Sequence, residues 1–270
     1  PGSEDSHGRA LWALGSVVGR SDVQGQRDLA DSLFCTALPD VEKFKSPRSW
    51  AYALLGIDEY LRAFPGNEVV IDLRERLAGL LLDLYRRASR PAWPWFEEQF
   101  GRCNARLSHA LILTGWRMDR AEMKSAGLQS LEWLARVQIS ATGDGMFSPI
   151  ASDGFYERNG ARAVFDQKPV EACAMVSACL AARRLAESGR WMTDARRAFE
   201  WFLGHNQQKR SVYDTATGGC RDGLHAHRPN DDQGAESTLS FLLALVEMRA
   251  ATRHVRSNHL DLMGPSERSS

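Results

Sequence analysis

The feature that most constrains the fold of this 270-residue chain is a helical periodicity that recurs along almost its whole length. Nine segments carry apolar residues at three- and four-residue spacing, which is typical of amphipathic helices. No stretch alternates convincingly between apolar and polar residues with a period of two. The sequence therefore predicts an all-α fold. The predicted helices span 10–20, 26–38, 49–64, 68–88, 105–118, 120–138, 169–188, 193–206 and 234–251.

The prolines and the lengths of the connections support this segmentation. Pro39 and Pro65 fall between predicted helices, and Pro169 falls in a first turn, where a missing N–H costs little. Most connections are short, but 89–104, 139–165 and 207–232 are long, and long loops in a compact domain are usually functional or disordered. Helix pairs that recur every ~40–50 residues predict a toroid of helical hairpins.

Composition and charge exclude several classes of function. Lys+Arg and Asp+Glu both number 34, and no basic cluster with interleaved aromatics occurs, so we expect no nucleic-acid partner. No apolar run approaches the ~20 residues that span a bilayer, and the polar start has no signal peptide, so we expect no membrane partner. The five cysteines form no CxxC pair, and Cys173 and Cys179 lie in an apolar helix. These features predict free thiols and a cytoplasmic location.

The first long loop is rich in aromatic residues beside acids, in the stretch "RPAWPWFEEQF". Trp93 and Trp95 could stack on the apolar face of a sugar ring, while Glu97 supplies acid–base chemistry. Asn104 and Arg106 begin the next helix and could bind hydroxyl groups. The alternative is that the tryptophans fill the core and the glutamates face water.

The second long loop ends in polar residues that lead into an otherwise apolar helix. Asp166 precedes Gln167, and Glu171 lies one turn further along, on the same face as Gln167. A carboxylate on an apolar helix needs partners or a task, which makes Glu171 a functional candidate. The alternative for Asp166 is the common structural role of a helix N-cap.

The third long loop, "TGGCRDGLHAHRPNDDQGAES", is the most densely polar stretch of the chain. Asp222 lies within it, and Gln233 and Glu236 lie near the start of the last helix. The alternative is a helix cap with solvated acids. His225 and His227 form an H-x-H pair without a third spaced ligand, so we expect no metal site and no cofactor.

The N-terminal stretch "EDSHGRALWALG" places Asp5 among charged residues just before the first predicted helix. In a hairpin toroid, the inner helices converge with their N-termini at one end of a central cavity. We therefore expect the long loops and this stretch to rim one pocket. The candidate acids for catalysis are Asp166, Glu236, Asp222, Glu171, Glu97 and Asp5. The candidate substrate-binding residues are Trp93, Trp95, Asn104, Arg106, Gln167 and Gln233.

These stretches, together with "FDQKPVEACAM", "WFLGHN" and "YDTATGGCRDGL", resemble a bacterial group of α-toroid proteins. The group is often encoded with, or fused to, glycosyltransferases and is related in fold to the six-hairpin glycosidases. The resemblance covers roughly residues 4–250. It implies an (α/α)6-type toroid and a carbohydrate context, with a glycosyltransferase as one partner.

One departure from the group concerns the N-terminal part of the fold. Members usually begin with further helices that carry a glycine-rich loop and an acidic motif, and neither occurs here. We therefore expect an incomplete (α/α)6-type toroid over residues 1–255, with a flexible tail at 256–270. If the missing acids are catalytic, the chain alone would be inactive and its first helices would expose apolar surface.

The sequence leaves three hypotheses for function. The first is a glycoside hydrolase-like enzyme acting on a bacterial oligo- or polysaccharide through two carboxylates, foremost Asp166 and Glu236. By analogy with related toroids, we expect inversion of the anomeric centre. The second is a non-catalytic glycan-binding or accessory module of a glycosyltransferase system. The third is a sugar epimerase, for which His109 is the candidate base.

Overall fold

The computed structural model describes residues 2–186 and 188–262, with side chains up to Arg253. All nine predicted helices are confirmed, and within the described residues no extended strand is present. Two short 3-10 helices, Leu38–Lys43 and Trp201–Leu203, follow the second and eighth helices. The α-helices are α1 Glu4–Arg20, α2 Gln24–Ala37, α3 Pro47–Ala63, α4 Glu68–Ala88, α5 Ala105–Arg117, α6 Ala121–Val137, α7 Pro169–Arg183, α8 Arg190–Glu200 and α9 Ala235–Leu262.

The C-terminal helix extends further than the sequence predicts. Helix α9 runs to Leu262, so residues 256–262 of the predicted tail are helical. The rest of that tail, 263–270, lies outside the described residues. Among the helices of the described part, none is both long enough and apolar enough to span a bilayer.

The helix starts follow from capping residues and prolines. The Ser3 side chain accepts a hydrogen bond from Ser6 N at the start of α1, so Asp5 lies inside the helix rather than before it. The alternative that Asp166 caps this helix is wrong: α7 begins at Pro169, and the extended residue Lys168 is its N-cap. Proline disfavours a helical conformation in the residue before it, which places Asp166 and Gln167 in the loop.

The chain divides into two compact units. Unit 1 comprises Pro1–Val137 and Tyr156–Ala161, and unit 2 comprises Gln138–Phe155 and Arg162–Ser270. The three predicted long loops therefore belong to different units. Loop 89–104 lies in unit 1, loop 207–232 lies in unit 2, and loop 139–165 is shared between them.

In unit 1, helices α1, α3 and α5 run parallel, with α3 in the middle. Arg48 on α3 donates to Asn104 Oδ1 (3.2 Å) at the N-terminal ends of α3 and α5, and Arg117 pairs with Asp58 (2.7 Å) at their C-terminal ends. Helix α3 is buried along most of its length. Helices α1 and α3 touch backbone to backbone: a Cβ built on Gly15 would lie 2.1 Å from the carbonyl oxygen of Gly56.

In unit 2, α7 is the central helix, and it packs against α8 and α9. Its residues from Pro169 to Ala182 are all buried, as expected of its continuous apolar sequence. Ser177 on α7 donates to Glu247 Oε2 on α9 (2.7 Å). Aromatic rings from α8, the loop and α9 also pack together, and the Tyr213 ring stacks on Phe241 at 4.2 Å. The stacking of Tyr213 on Phe241 therefore joins the 207–232 loop to α9.

The cysteines give a simple test of this packing. All five are free, and Cys35 is exposed whereas the other four are buried. Burial raises the pKa of Cys220 to about 12 and the pKa of Cys179 well above its ordinary value, so both thiols stay protonated at pH 8. Partial burial raises the pKa of Cys35 as well, but its thiol is exposed to the reagent. We expect an alkylating reagent at pH 8 to modify Cys35 alone in the native protein, and all five cysteines in urea, as counted by mass spectrometry. Rapid native modification of Cys220 would contradict this packing.

Candidate functional site

The most prominent polar contact of unit 2 joins Asp166 to His225. Gln167 N donates to Leu224 O (3.0 Å) and Leu224 N donates to Gln167 O (2.9 Å), so two long loops are paired at this point. The pairing brings His225 Nδ1 to 2.5 Å from Asp166 Oδ1. The side chains of Asp166 and His225 are 33% and 37% exposed, so solvent reaches both. In the tautomer that carries its proton on Nδ1, His225 donates to Asp166 Oδ1.

His225 is the residue that the sequence analysis set aside. It lies 59 positions from Asp166, and their contact depends on the pairing of two irregular loops. The sequence analysis considered His225 and His227 only as possible metal ligands. An H-x-H pair without a third spaced ligand is a weak metal motif. Among the described residues, no group of three His, Cys, Asp or Glu side chains is arranged to hold a metal ion. The loop pairing itself leaves no periodic signal in the sequence.

The acids and amides around the start of α9 largely bond to the protein itself. Asp222 Oδ1 accepts from Gly234 N (2.7 Å), which fixes the turn before α9. Gln233 Oε1 accepts from Thr217 Oγ1 (2.6 Å), and its amide donates to Asp214 Oδ2 (3.2 Å). Glu236 lies exposed in the first turn of α9. The two leading candidate carboxylates, Asp166 and Glu236, therefore both lie in unit 2 and are both accessible to solvent.

Gln167 is fully buried and its side-chain amide is already occupied. Its Nε2 donates to Val164 O (2.9 Å) and to Gln207 Oε1 (3.0 Å). Its Oε1 accepts from Nε1 of the buried Trp201 (2.7 Å). Glu171, in the first turn of α7, is also buried. A sugar hydroxyl can use the donors of Gln167 only if one of these bonds breaks, and the direct role of this amide is to hold the loop on Trp201.

Replacing Gln167 with leucine should therefore destabilise unit 2. The change leaves the buried indole N–H of Trp201 without its acceptor, and an unsatisfied buried donor costs about 2 kcal/mol. Urea unfolding of Gln167→Leu would measure the loss. In a Trp201→Phe background, which has no indole N–H, we expect the Gln167→Leu change to cost clearly less. An equal loss in both backgrounds would show that the bond contributes nothing.

The aromatic residues of the first long loop lie in the interior of unit 1. Trp95 is 0% exposed and stacks on Phe100, with ring centroids 4.6 Å apart. Trp93 is 4% exposed, and its Nε1 donates to Glu97 O (2.8 Å). Stacking of sugar on these two rings stays a prediction, and it requires the loop to move. Tyr156 is the half-buried member of the same cluster, at 5.0 Å from Trp93.

Two further candidates of unit 1, Glu97 and Asn104, are both bonded to Arg48. Arg48 donates to Glu97 Oε1 (3.0 Å) and to Asn104 Oδ1 (3.2 Å), and Asn104 is fully buried. Arg106 is 2% exposed, and its guanidinium lies 4.5 Å from the centre of the Trp12 ring. The contacts of Glu97 and Asn104 tie the loop to the N-terminal ends of α3 and α5.

Asp5 belongs to a second charged group at the start of α1. Arg9 Nε donates to Asp5 Oδ2 (2.7 Å), and the Arg9 guanidinium lies 4.7 Å from the centre of the Tyr52 ring. Burial raises the pKa of the Tyr52 phenol well above its ordinary value, so this group stays neutral. The NH1 group of Arg106 lies 3.4 Å from Nδ1 of His109. The structure thus places six of the twelve candidates in each unit.

Comparison with known proteins supports the fold class. No family model and no curated protein matches the sequence. Among solved structures, a GH76 α-mannanase from Bacteroides thetaiotaomicron is 9% identical, with a TM-score of 0.65, over 92% of this chain and 69% of that one. An unsaturated glucuronyl hydrolase specific for heparin is 9% identical, with a TM-score of 0.60, over 92% and 87%. A protein from Listeria innocua is 10% identical, with a TM-score of 0.56, over 90% and 86%. The chain therefore has an all-α fold of the (α/α)6-toroid type.

Proposed function

We propose that this protein is a carbohydrate-active enzyme of the glycosidase type, which hydrolyses an oligo- or polysaccharide. The fold is shared with a mannanase and a glucuronyl hydrolase, which gives the carbohydrate context by analogy. The observation that carries the proposal is the contact between Asp166 and His225, a partly exposed carboxylate held by an imidazole at 2.5 Å. A carboxylate that is fixed in orientation and open to solvent is what acid–base hydrolysis of a glycosidic bond requires.

In this proposal Asp166 is the base and Glu236 is the acid. The imidazole N–H of His225 orients the Asp166 carboxylate toward a water molecule, and Glu236 protonates the leaving oxygen of the glycosidic bond. The other four acids rank behind these two: Glu171 is buried, Glu97 and Asp5 pair with arginines, and Asp222 accepts from Gly234 N. Inversion of the anomeric centre stays the expectation, and carboxyl groups ~6.5–9.5 Å apart would suit it.

The direct test is a hydrolysis screen. The protein is incubated with manno-, gluco-, galacto- and uronate-containing oligosaccharides, and new reducing ends are measured against time. We expect hydrolysis of at least one class, with the anomer of the first-formed product read by NMR. Tight binding of an oligosaccharide without any new reducing ends would contradict the enzymatic proposal.

The second candidate function is a glycan-binding or accessory module, such as one serving a glycosyltransferase. It is favoured by the structural use of several candidate acids: Asp222 caps the turn at Gly234, Glu97 pairs with Arg48, and Asp5 pairs with Arg9. A binding module needs no pair of reacting carboxylates. For such a module, Asp166→Asn combined with Glu236→Gln should leave the affinity for glycan unchanged.

A further inference from the structure

Unit 1 has a surface cavity whose lining residues include neither acid of the proposed catalytic pair. Its volume is about 460 Å³, within the ~300–1,000 Å³ that is usual for small-molecule sites. Two segments build it, the start of the 89–104 loop and the short stretch 156–159, which are joined by a hydrogen bond from Arg158 N to Glu98 O (2.8 Å). The lining residues are Arg90, Ala92, Trp93, Tyr156, Arg158 and Asn159.

The aromatic wall of this cavity is rigid. The Tyr156 ring is parallel to Phe100 within 1°, at 5.8 Å, and it meets Trp93 edge-on at 5.0 Å. Trp93 is in turn fixed by the hydrogen bond from its Nε1 to Glu97 O. Because these rings are held by the core of the unit, Tyr156 keeps its orientation without a ligand. A half-buried, preorganised ring of this kind loses little entropy when it binds an apolar face.

The polar part of the wall is cationic. Arg158 pairs with Glu98 through its NH2 group (2.5 Å), but its NH1 group is buried and has no hydrogen-bond partner among the described residues. Arg90 donates from NH1 to the carbonyl oxygens of Arg87 and Ser89, which carry no charge. In the described part of the chain, two arginines and no carboxylate line the cavity, and Glu98 pairs with one of the two, Arg158. The charged side chains of the lining are therefore cationic, and Arg158 has a buried donor that lacks an acceptor among the described residues.

We propose that this cavity binds an acidic sugar unit of a glycan, that is, a sugar that carries a carboxylate or a sulfate. The anionic group would pair with the guanidinium groups of Arg158 and Arg90, as guanidinium groups do with planar or tetrahedral oxyanions. The apolar face of the sugar ring would pack on Tyr156, and the Asn159 side chain would reach its hydroxyl groups. The sugar part of this inference rests on the carbohydrate function proposed above, whereas the requirement for an anion rests on the arginines.

The test compares an acidic with a neutral oligosaccharide of equal length. Binding of a hyaluronan hexasaccharide and of maltohexaose is measured by isothermal titration calorimetry at low and at moderate salt. We expect the acidic hexasaccharide to bind at least tenfold more tightly, with an affinity that falls as salt rises. Arg90→Gln and Arg158→Gln should each weaken its binding about tenfold, which corresponds to about 1.4 kcal/mol.

The matched control is Arg87→Gln, which removes the same charge from the exposed end of α4 but does not line the cavity. Arg158→Gln also removes the ion pair with Glu98, so the thermal unfolding of this variant is measured in parallel. Arg90→Gln tests the same site and leaves that ion pair in place. Asp166→Asn should keep full binding, so loss of hydrolysis and loss of binding are separate results. Equal affinity for the two hexasaccharides, an equal effect of Arg87→Gln, or equally tight binding of free sulfate would overturn the proposal.

Discussion

Replacing Asp166 with asparagine is expected to lower kcat by at least about 100-fold on any oligosaccharide that the protein hydrolyses. Removal of a positioned general base typically costs ~10²–10⁴-fold in rate. Asparagine has nearly the same shape as aspartate, and its side-chain oxygen can still accept from Nδ1 of His225, 2.5 Å away in the native contact. The variant therefore removes the charge and the basicity while it retains the geometry. Initial rates of reducing-end release would measure the effect, with KM little changed.

The matched control is Asp153→Asn, an exposed aspartate of the same long loop. This variant loses the same charge thirteen positions before Asp166 in the sequence. We expect it to hydrolyse oligosaccharide at the wild-type rate. His225→Ala should lower kcat by a smaller factor than Asp166→Asn, because His225 orients the base without being the base. Wild-type turnover by Asp166→Asn would show that this carboxylate is not catalytic and would direct attention to other acids.

The helical framework was predictable because its signal is local. Helix α4 was predicted at 68–88, and the structure gives Glu68–Ala88. Its apolar stripe lies within the helix, and the cap residue Asn67 and the loop residue Pro91 lie within three residues of its ends. Helix α8 was less well defined, with 193–206 predicted and Arg190–Glu200 observed. There the chain tightens into a 3-10 turn and then reaches Gly204 at a φ of 101°, and the periodicity of the sequence continues through both.

The candidate site was less predictable because its contacts are not local. A cluster of aromatics beside acids predicts either a sugar platform or a core, since both need large apolar faces. The structure buries Trp95 completely and brings the half-buried Tyr156, which the sequence analysis did not consider, to the surface of the same cluster. Asp166 was identified, but its partner His225 was not, because only the pairing of Gln167 with Leu224 brings them together.

The contact between α1 and α3 gives the largest expected effect on stability. Replacing Gly56 with alanine should destabilise unit 1 by about 3 kcal/mol, as overpacking of a close contact does. A Cβ at this position would lie 2.5 Å from Leu11 O and 2.9 Å from the Cα of Trp12. These are backbone atoms, so the clash is relieved only by moving one helix away from the other. The opposing gain in helix propensity, about 1 kcal/mol, is too small to offset this cost.

Gly79 provides the matched control, because it is also inside a helix and a Cβ built there meets nothing within 4 Å. Gly79→Ala should stabilise the protein by up to about 1 kcal/mol, since only the propensity changes. The two variants thus make the same chemical change and should shift the urea midpoint in opposite directions. If Gly56→Ala were as stable as Gly79→Ala, helices α1 and α3 could not be in backbone contact. The parallel arrangement of these helices, which places Ser49, Tyr52 and the Arg9 guanidinium at one end of unit 1, would then be wrong.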